Sequence, residues 1–187
     1  MIITEERQLR VLCEEVKTLE EGEEIAVQLF KELGDRGIGL AANQIGNNKR
    51  VCVINVKEPI AFINPKITNL ENEILYAESC LSFPNKTIKT KRAQWVTVES
   101  DNHGKVVFGS DQYDDDLLEA VCVQHEIDHL DGITMFDREV KQEPIKVEKK
   151  IGRNERVTIT DGKETKELKW KKAEPLVESG DWEMATV

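Results

Sequence analysis

The sequence predicts an α+β fold in which antiparallel strands pack around one central helix. Apolar residues recur at helical spacing over about 20–33 and again after Asp114-Asp115-Asp116, which offers an N-cap and an acidic first turn. Segments of strand character lie between these two helices, near 51–56, 60–64, 72–77, 94–100 and 105–110. Gly132 follows the last apolar residue of the second helix, where helices commonly stop.

The last two strands flank the turn Asp101-Asn102-His103-Gly104, which is typical of a hairpin. His103 is therefore expected to be an exposed turn residue rather than a metal ligand.

The chain is predicted to divide into a catalytic body, residues 1–137, and a C-terminal extension, residues 138–187. In the extension, Asp161-Gly162 separates Arg156–Thr160 from 163–170, a pattern that predicts a two-residue β-hairpin. Two interpretations stay open: a small accessory hairpin packed on the body, which we favour, and a partner-binding module.

Composition limits the classes of protein to consider. The formal net charge is −10, which argues against direct nucleic-acid binding, since that affinity comes from neutralising phosphates. No apolar run approaches membrane-spanning length, and the N-terminus lacks a secretory pattern. The four cysteines form no C-x-x-C pair. We therefore expect a cytoplasmic protein with reduced thiols and no membrane partner.

The second helix contains the motif His125-Glu126-Ile127-Asp128-His129. Residues four apart share a helix face, so both imidazoles can reach one metal ion, and Glu126 beside them can act as a general base. The alternative is that both histidines are solvated side chains on an exposed helix.

A catalytic metal site of this type needs a third protein ligand. A longer form of this motif would place a third histidine at position 135, but this position is Met135. The downstream candidates are Glu139, Glu143 and Glu148, which lie in a charged stretch of weak periodicity. Cys80, upstream, is favoured, because a thiolate binds zinc or iron strongly and its neighbours are polar and turn-forming. The alternative for Cys80 is a small buried apolar residue.

Residues 37–44 are rich in glycine and alanine, which predicts a loop where backbone approaches a ligand closely. The alternative is a tight turn entering the strand near Val51. The segment does not fit the dinucleotide-binding motif G-x-G-x-x-G, because the third glycine is missing.

Taken together, three segments resemble the motifs of the peptide deformylases: GIGLAANQ at 37–44, ESCLS at 78–82 and QHEIDHLDG at 124–132. The resemblance covers roughly residues 5–137. Ser79 departs from it, because the family has glycine before the cysteine and pairs that residue's backbone with the bound peptide.

The resemblance implies a deformylase-like fold and removal of the N-formyl group from newly made polypeptides. Cys80, His125 and His129 would hold one divalent ion, Fe²⁺ natively, with Zn²⁺ or Ni²⁺ able to substitute. Glu126 would carry the proton, and Gln44 and the Leu81 backbone N–H would stabilise the oxyanion. The residues implied in substrate binding are Ile38, Gly39, Tyr76, Ser79, Leu118, Val121 and Cys122.

The partners implied are N-formyl-methionyl nascent peptides, met at the ribosome by a monomeric enzyme. Two rival classes differ in testable ways. A metalloprotease would cleave internal bonds and accept unblocked substrates, whereas a binding module with a structural metal would have no open ligand position and no need for Glu126.

Overall fold

The computed structural model describes residues 1–140 and 152–185, which belong to two compact units, Met1–Lys141 and Gln142–Val187. In the part of the chain described, no helix is long and apolar enough to cross a membrane.

Among its described residues, the first unit contains three α-helices and two antiparallel three-stranded sheets. The helices are α1 (Glu6–Leu9), α2 (Leu19–Leu33) and α3 (Asp115–Leu130). One sheet consists of β1 (Gly39–Ala41), β2 (Val51–Asn55) and β3 (Pro59–Ile63), and the other of β4 (Lys66–Cys80), β5 (Phe83–Ser100) and β6 (Gly104–Gly109), each in that order.

Helix α3 is the centre of this unit. Its N-cap is Asp114, whose carboxylate accepts a hydrogen bond from the Leu117 N–H at 3.0 Å. Ile127 packs in one apolar cluster with Ile54 of the first sheet and Val98 of the second, so the helix contacts both sheets. The α+β prediction, with antiparallel strands around the central helix, is confirmed.

Two predicted strands are longer in the structure than the sequence indicated. The predicted strands 72–77 and 94–100 are parts of the longer strands β4 and β5, whose additional residues are mostly polar and exposed. Backbone pairing extends this hairpin from Lys66↔Glu99 to Cys80↔Phe83. The added length has no alternating apolar pattern from which it could be predicted.

The prediction of a loop at 37–44 is also wrong for most of these residues. Gly39–Ala41 is strand β1, and Ala42–Ile45 is a short 3-10 helix. Leu40, Ala41 and Ala42 have no exposed surface. Small residues are used here because the segment lies inside the core, where space is limited.

The part of the second unit that the structure describes, residues 152–185, is a three-stranded sheet with one helix. Its elements are β7 (Arg156–Thr160), β8 (Thr165–Lys169), α4 (Trp170–Glu178) and β9 (Glu183–Met184), with strand order β8-β7-β9. Val157, Ile159 and Ala173 form its buried core.

The hairpin predicted in the extension is present, but its two-residue turn is wrong. Four residues, 161–164, connect β7 and β8, because the Asp161 carboxylate accepts hydrogen bonds from the N–H groups of both Lys163 and Glu164 at 2.8 Å. Trp170 begins α4 rather than ending the strand.

Candidate active site

The end of β4 and one face of α3 bring together three side chains that could hold a metal ion. Sγ of Cys80 lies 3.3 Å from Nε2 of His129, and the donor atoms of Cys80, His125 and His129 all lie within 4.8 Å of one another. All three residues are buried. The alternative that the two histidines are solvated is therefore wrong.

This donor set fits a first-row divalent metal ion. A thiolate and two imidazoles suit zinc or iron. A sulfur at about 2.3 Å and a nitrogen at about 2.1 Å from a tetrahedral ion would lie about 3.6 Å apart. The 3.3 Å between Cys80 and His129 is close to that spacing.

Of the downstream carboxylates considered as third ligands, Glu139 does not join this group. Glu139 is exposed and pairs as a backbone bridge with Thr90 on β5. Glu143 and Glu148 lie outside the described residues. Among the residues described, Cys80 is the one that completes the donor set.

Glu78 is a site residue for which the sequence suggested no role. Its carboxylate accepts a hydrogen bond from Nδ1 of His125 at 2.7 Å and from Nε of Arg92 at 2.6 Å, and contacts the Thr90 hydroxyl. Burial would raise the pKa of Glu78, but the hydrogen bonds from His125 and Arg92 lower it to about 2. Glu78 therefore fixes the His125 ring with a permanent negative charge.

A signal for Glu78 was present in the sequence. Glu78 precedes Cys80 by two positions, and alternate residues of a strand share a face. The rest of its network could not be read from the chain. Arg92 also donates to Asp128 of α3 at 2.5 Å, and Arg138 donates to the same carboxylate at 2.7 Å.

Glu126 lies on α3 next to the donor group and is almost fully buried. Burial raises the pKa of Glu126 to about 7, against the lowering effect of His125. Its Oε2 atom has no hydrogen-bond partner among the described residues. An unpaired buried carboxylate oxygen is unusual, and here it is an acceptor available for a substrate or a water molecule.

The glycine at position 39 is explained by the same carboxylate. A Cβ atom there would lie 2.5 Å from Oε1 of Glu126 and 2.7 Å from Sγ of Cys122. Strand β1 can therefore approach α3 closely only with glycine at this position.

A pocket of about 350 Å³ opens beside Glu126 and the donor group. It is lined by all the residues implied in substrate binding: Ile38, Gly39, Tyr76, Ser79, Leu118, Val121 and Cys122. The hydroxyl of Ser79, the residue that departs from the family motif, pairs with the Thr87 hydroxyl at 2.8 Å across the hairpin.

Gln44 and Leu81 line the same pocket. The Gln44 amide nitrogen donates to the Ser82 hydroxyl at 3.0 Å and lies 3.6 Å from Sγ of Cys80. Its amide oxygen accepts from the Ala41 N–H at 2.8 Å, which fixes which end of the amide faces the site. Ser82 is a second contact that the sequence did not suggest.

A buried Cys-His-His donor set, a carboxylate with an unpaired oxygen and an adjoining pocket define a class of protein, the metal-dependent hydrolases. Comparison with known proteins gives the particular family within that class.

The family model for polypeptide deformylase matches residues 1–144. A peptide deformylase from Heliobacterium modesticaldum is 46% identical over 110 residues, covering 58% of this chain and 71% of that protein. One from Pseudoalteromonas translucida is 36% identical over 138 residues, covering 71% and 81%. The crystal structure of a peptide deformylase from Legionella pneumophila matches with a TM-score of 0.65 at 33% identity, covering 75% of this chain and 85% of that one.

This chain belongs to the polypeptide deformylase family. The enzymes of this family are metal-dependent hydrolases, and the activity is removal of the N-formyl group from newly made polypeptides. The two rival classes, an internal metalloprotease and a binding module with a structural metal, are excluded by this membership.

Proposed function

We propose that Cys80, His125 and His129 hold the one divalent ion, and that Glu126 moves the proton when the formyl group of a formyl-methionyl peptide is hydrolysed. The observation that carries this proposal is the buried grouping of the three donors together with Glu126. The Glu126 carboxylate lines the same pocket as Cys80 and His125, and its Oε2 atom has no hydrogen-bond partner among the described residues.

When bound, the ion supplies Lewis acidity that makes water nucleophilic near neutral pH. Glu126 accepts the proton of the attacking water and returns it to the departing amine of methionine. The Gln44 amide and the Leu81 backbone N–H donate hydrogen bonds to the oxyanion of the tetrahedral intermediate. The contact of Gln44 with Ser82 keeps its amide oriented in the free enzyme.

The methionine side chain occupies the pocket beside the donor group. Ile38, Leu118, Val121 and Cys122 give this pocket apolar walls, and Tyr76 completes it from β4. Ile38 is 40% exposed, so one wall is open to solvent and can be covered by a bound substrate.

We propose Fe²⁺ as the native ion, with Zn²⁺ or Ni²⁺ able to substitute. The family resemblance supports iron, whereas a donor set of one thiolate and two imidazoles suits several of these metals. The enzyme is further proposed to act as a cytoplasmic monomer on nascent chains at the ribosome. Its net charge of −10 argues against direct binding to the RNA.

The direct test combines metal analysis with an activity assay. Protein purified without oxygen is expected to contain about one equivalent of iron, and to release formate from formyl-Met-Ala-Ser but not to cleave the unformylated peptide. Cleavage of internal peptide bonds, or no formate release by the metal-loaded protein, would contradict the proposal.

We expect Glu78→Gln to weaken metal retention and turnover by roughly 10- to 100-fold, because the charge that orients His125 is lost. The measurement is the rate of metal loss to a chelator, followed together with formate release. Glu73→Gln is the matched control, since Glu73 lies on the same strand, is exposed and pairs with Lys91. Equal behaviour of the two variants would show that Glu78 does not support the site.

We also expect a chain ending at Lys150 to keep its rate constant on formyl-Met peptides within about tenfold, a barrier change of about 1.4 kcal/mol. The reason is that every proposed site residue lies in the unit Met1–Lys141. The comparison is with the full-length enzyme at equal metal content. A much larger loss in a folded, metal-loaded truncation would assign the extension a part in the active site.

A further inference from the structure

One wall of the methionine pocket is supported from outside by a second aromatic ring. Tyr76 lines the pocket, and Tyr113 stacks on it with ring centroids 6.0 Å apart and ring planes 9° from parallel. This is the offset-stacked geometry that aromatic pairs favour. Tyr113 itself is 78% exposed, so core packing does not account for its position.

The loop that carries Tyr113 is fixed at several points between β6 and α3. The Trp95 indole N–H donates to the Asp111 carboxylate at 3.3 Å, and the Gln94 amide donates to the Ser110 carbonyl at 2.8 Å. The Ser110 hydroxyl donates to Asp114, the N-cap of α3, at 2.7 Å. These contacts hold the residues on both sides of Tyr113 in place.

Strand β4 needs such support where it carries Tyr76. It lies at the edge of its sheet, paired with β5 on one side. Its residues on either side of Tyr76, Leu75 and Ala77, are exposed. The Tyr113 hydroxyl also approaches the Leu75 carbonyl at 3.4 Å, a distance too long for a strong hydrogen bond. The ring stack is therefore the main contact.

We infer that Tyr113 is a positioning residue that sets selectivity for the first side chain of the substrate, by holding the Tyr76 ring as the pocket wall. This inference rests on the proposed use of the pocket for methionine. Without Tyr113, the Tyr76 ring can rotate outward, which widens the pocket. Methionine then loses contacts, and a bulkier apolar side chain gains room.

The test compares kcat and KM for formyl-Met-Ala-Ser and formyl-Phe-Ala-Ser. For Tyr113→Ala we expect KM for the methionine peptide to rise roughly two- to tenfold, the range for one aromatic pair. We expect its kcat to stay within about twofold, since no proposed catalytic group is altered. The preference for methionine over phenylalanine in kcat/KM should fall by a similar factor.

Two control variants separate this effect from a general loss of structure. Tyr113→Phe keeps the stack but not the hydroxyl and should behave like wild type. Val107→Ala removes an exposed apolar residue of β6, 62% exposed and outside the pocket lining, and should change neither constant. Metal content and melting temperature are measured for each variant.

The possible failures can be told apart. Wild-type protein that is inactive on formyl-Met peptides would refute the proposed function itself. Active wild type with an unchanged methionine preference in Tyr113→Ala would refute the inference alone. An equal loss of methionine preference in Tyr113→Phe would also refute the inference. A lower kcat in Tyr113→Ala that is explained by lost metal would refute it as well.

Discussion

Replacing Glu126 by glutamine is expected to abolish deformylation while leaving the metal ion bound. Glutamine has nearly the same shape, but it cannot accept the proton of the attacking water. Loss of general acid–base catalysis typically lowers turnover by about 10²–10⁴-fold. Glu126 is not among the three grouped donors, so its replacement leaves the ligand set complete.

The measurement is single-turnover formate release at a confirmed metal content. Glu119→Gln is the matched control, because Glu119 is a buried carboxylate on the same helix that pairs with Lys57 and does not line the pocket. Substantial activity in metal-loaded Glu126→Gln would rule out the proposed role of Glu126.

Replacing Cys80 by alanine is expected to lose the ion, and the activity with it. Two imidazoles alone leave too few protein ligands for a retained catalytic metal ion. Cys13→Ala should keep both. Cys13 is equally buried but does not belong to the group of donors, and burial raises the pKa of its thiol to about 11.

Metal stoichiometry after gel filtration distinguishes these variants. One tightly held equivalent in Cys80→Ala would mean that the third ligand lies elsewhere, and the assignment of the site would be wrong. Wild type should lose activity in air, and Cys13→Ala should lose it at the same rate. The reason is that oxidation is directed at thiolates, so removing the Cys13 thiol gives no protection.

The helices of the body were predictable because their apolar residues follow helical spacing. Helix α2 was expected over about 20–33 and spans Leu19–Leu33, and α3 begins after its predicted N-cap, Asp114. Strands β4 and β5 were predicted only in part. Their extra residues pair through the backbone, and backbone pairing has no sequence periodicity of its own.

The grouping of the three candidate metal ligands was predictable for a different reason. His125 and His129 are four residues apart, and this spacing places both side chains on one face of a helix. The placement of Cys80 was favoured by its polar neighbours and implied by the family motif. Arg92, which links Glu78 to Asp128, comes from a neighbouring strand, and no local pattern marks it.

Small residues gave the least reliable local predictions. Residues 37–44 were expected to form a loop, but the glycine at 39 and the alanines beside it instead allow buried strand β1 to approach Glu126 and Cys122. Likewise, Asp161-Gly162 predicted a hairpin correctly and its length incorrectly, because the Asp161 side chain stabilises a wider turn.

The ligand geometry also has a consequence for how the enzyme matures. Cys80 ends an edge strand, and His129 stands 49 positions later near the end of a central helix. The complete donor set therefore exists only after that helix has packed between the two sheets. With these three residues as the proposed ligands, a newly synthesised copy should not load its ion fully until most of the body has folded. Metal loading should thus follow folding in time and then slow unfolding, since the ion joins two elements that must separate for the chain to open.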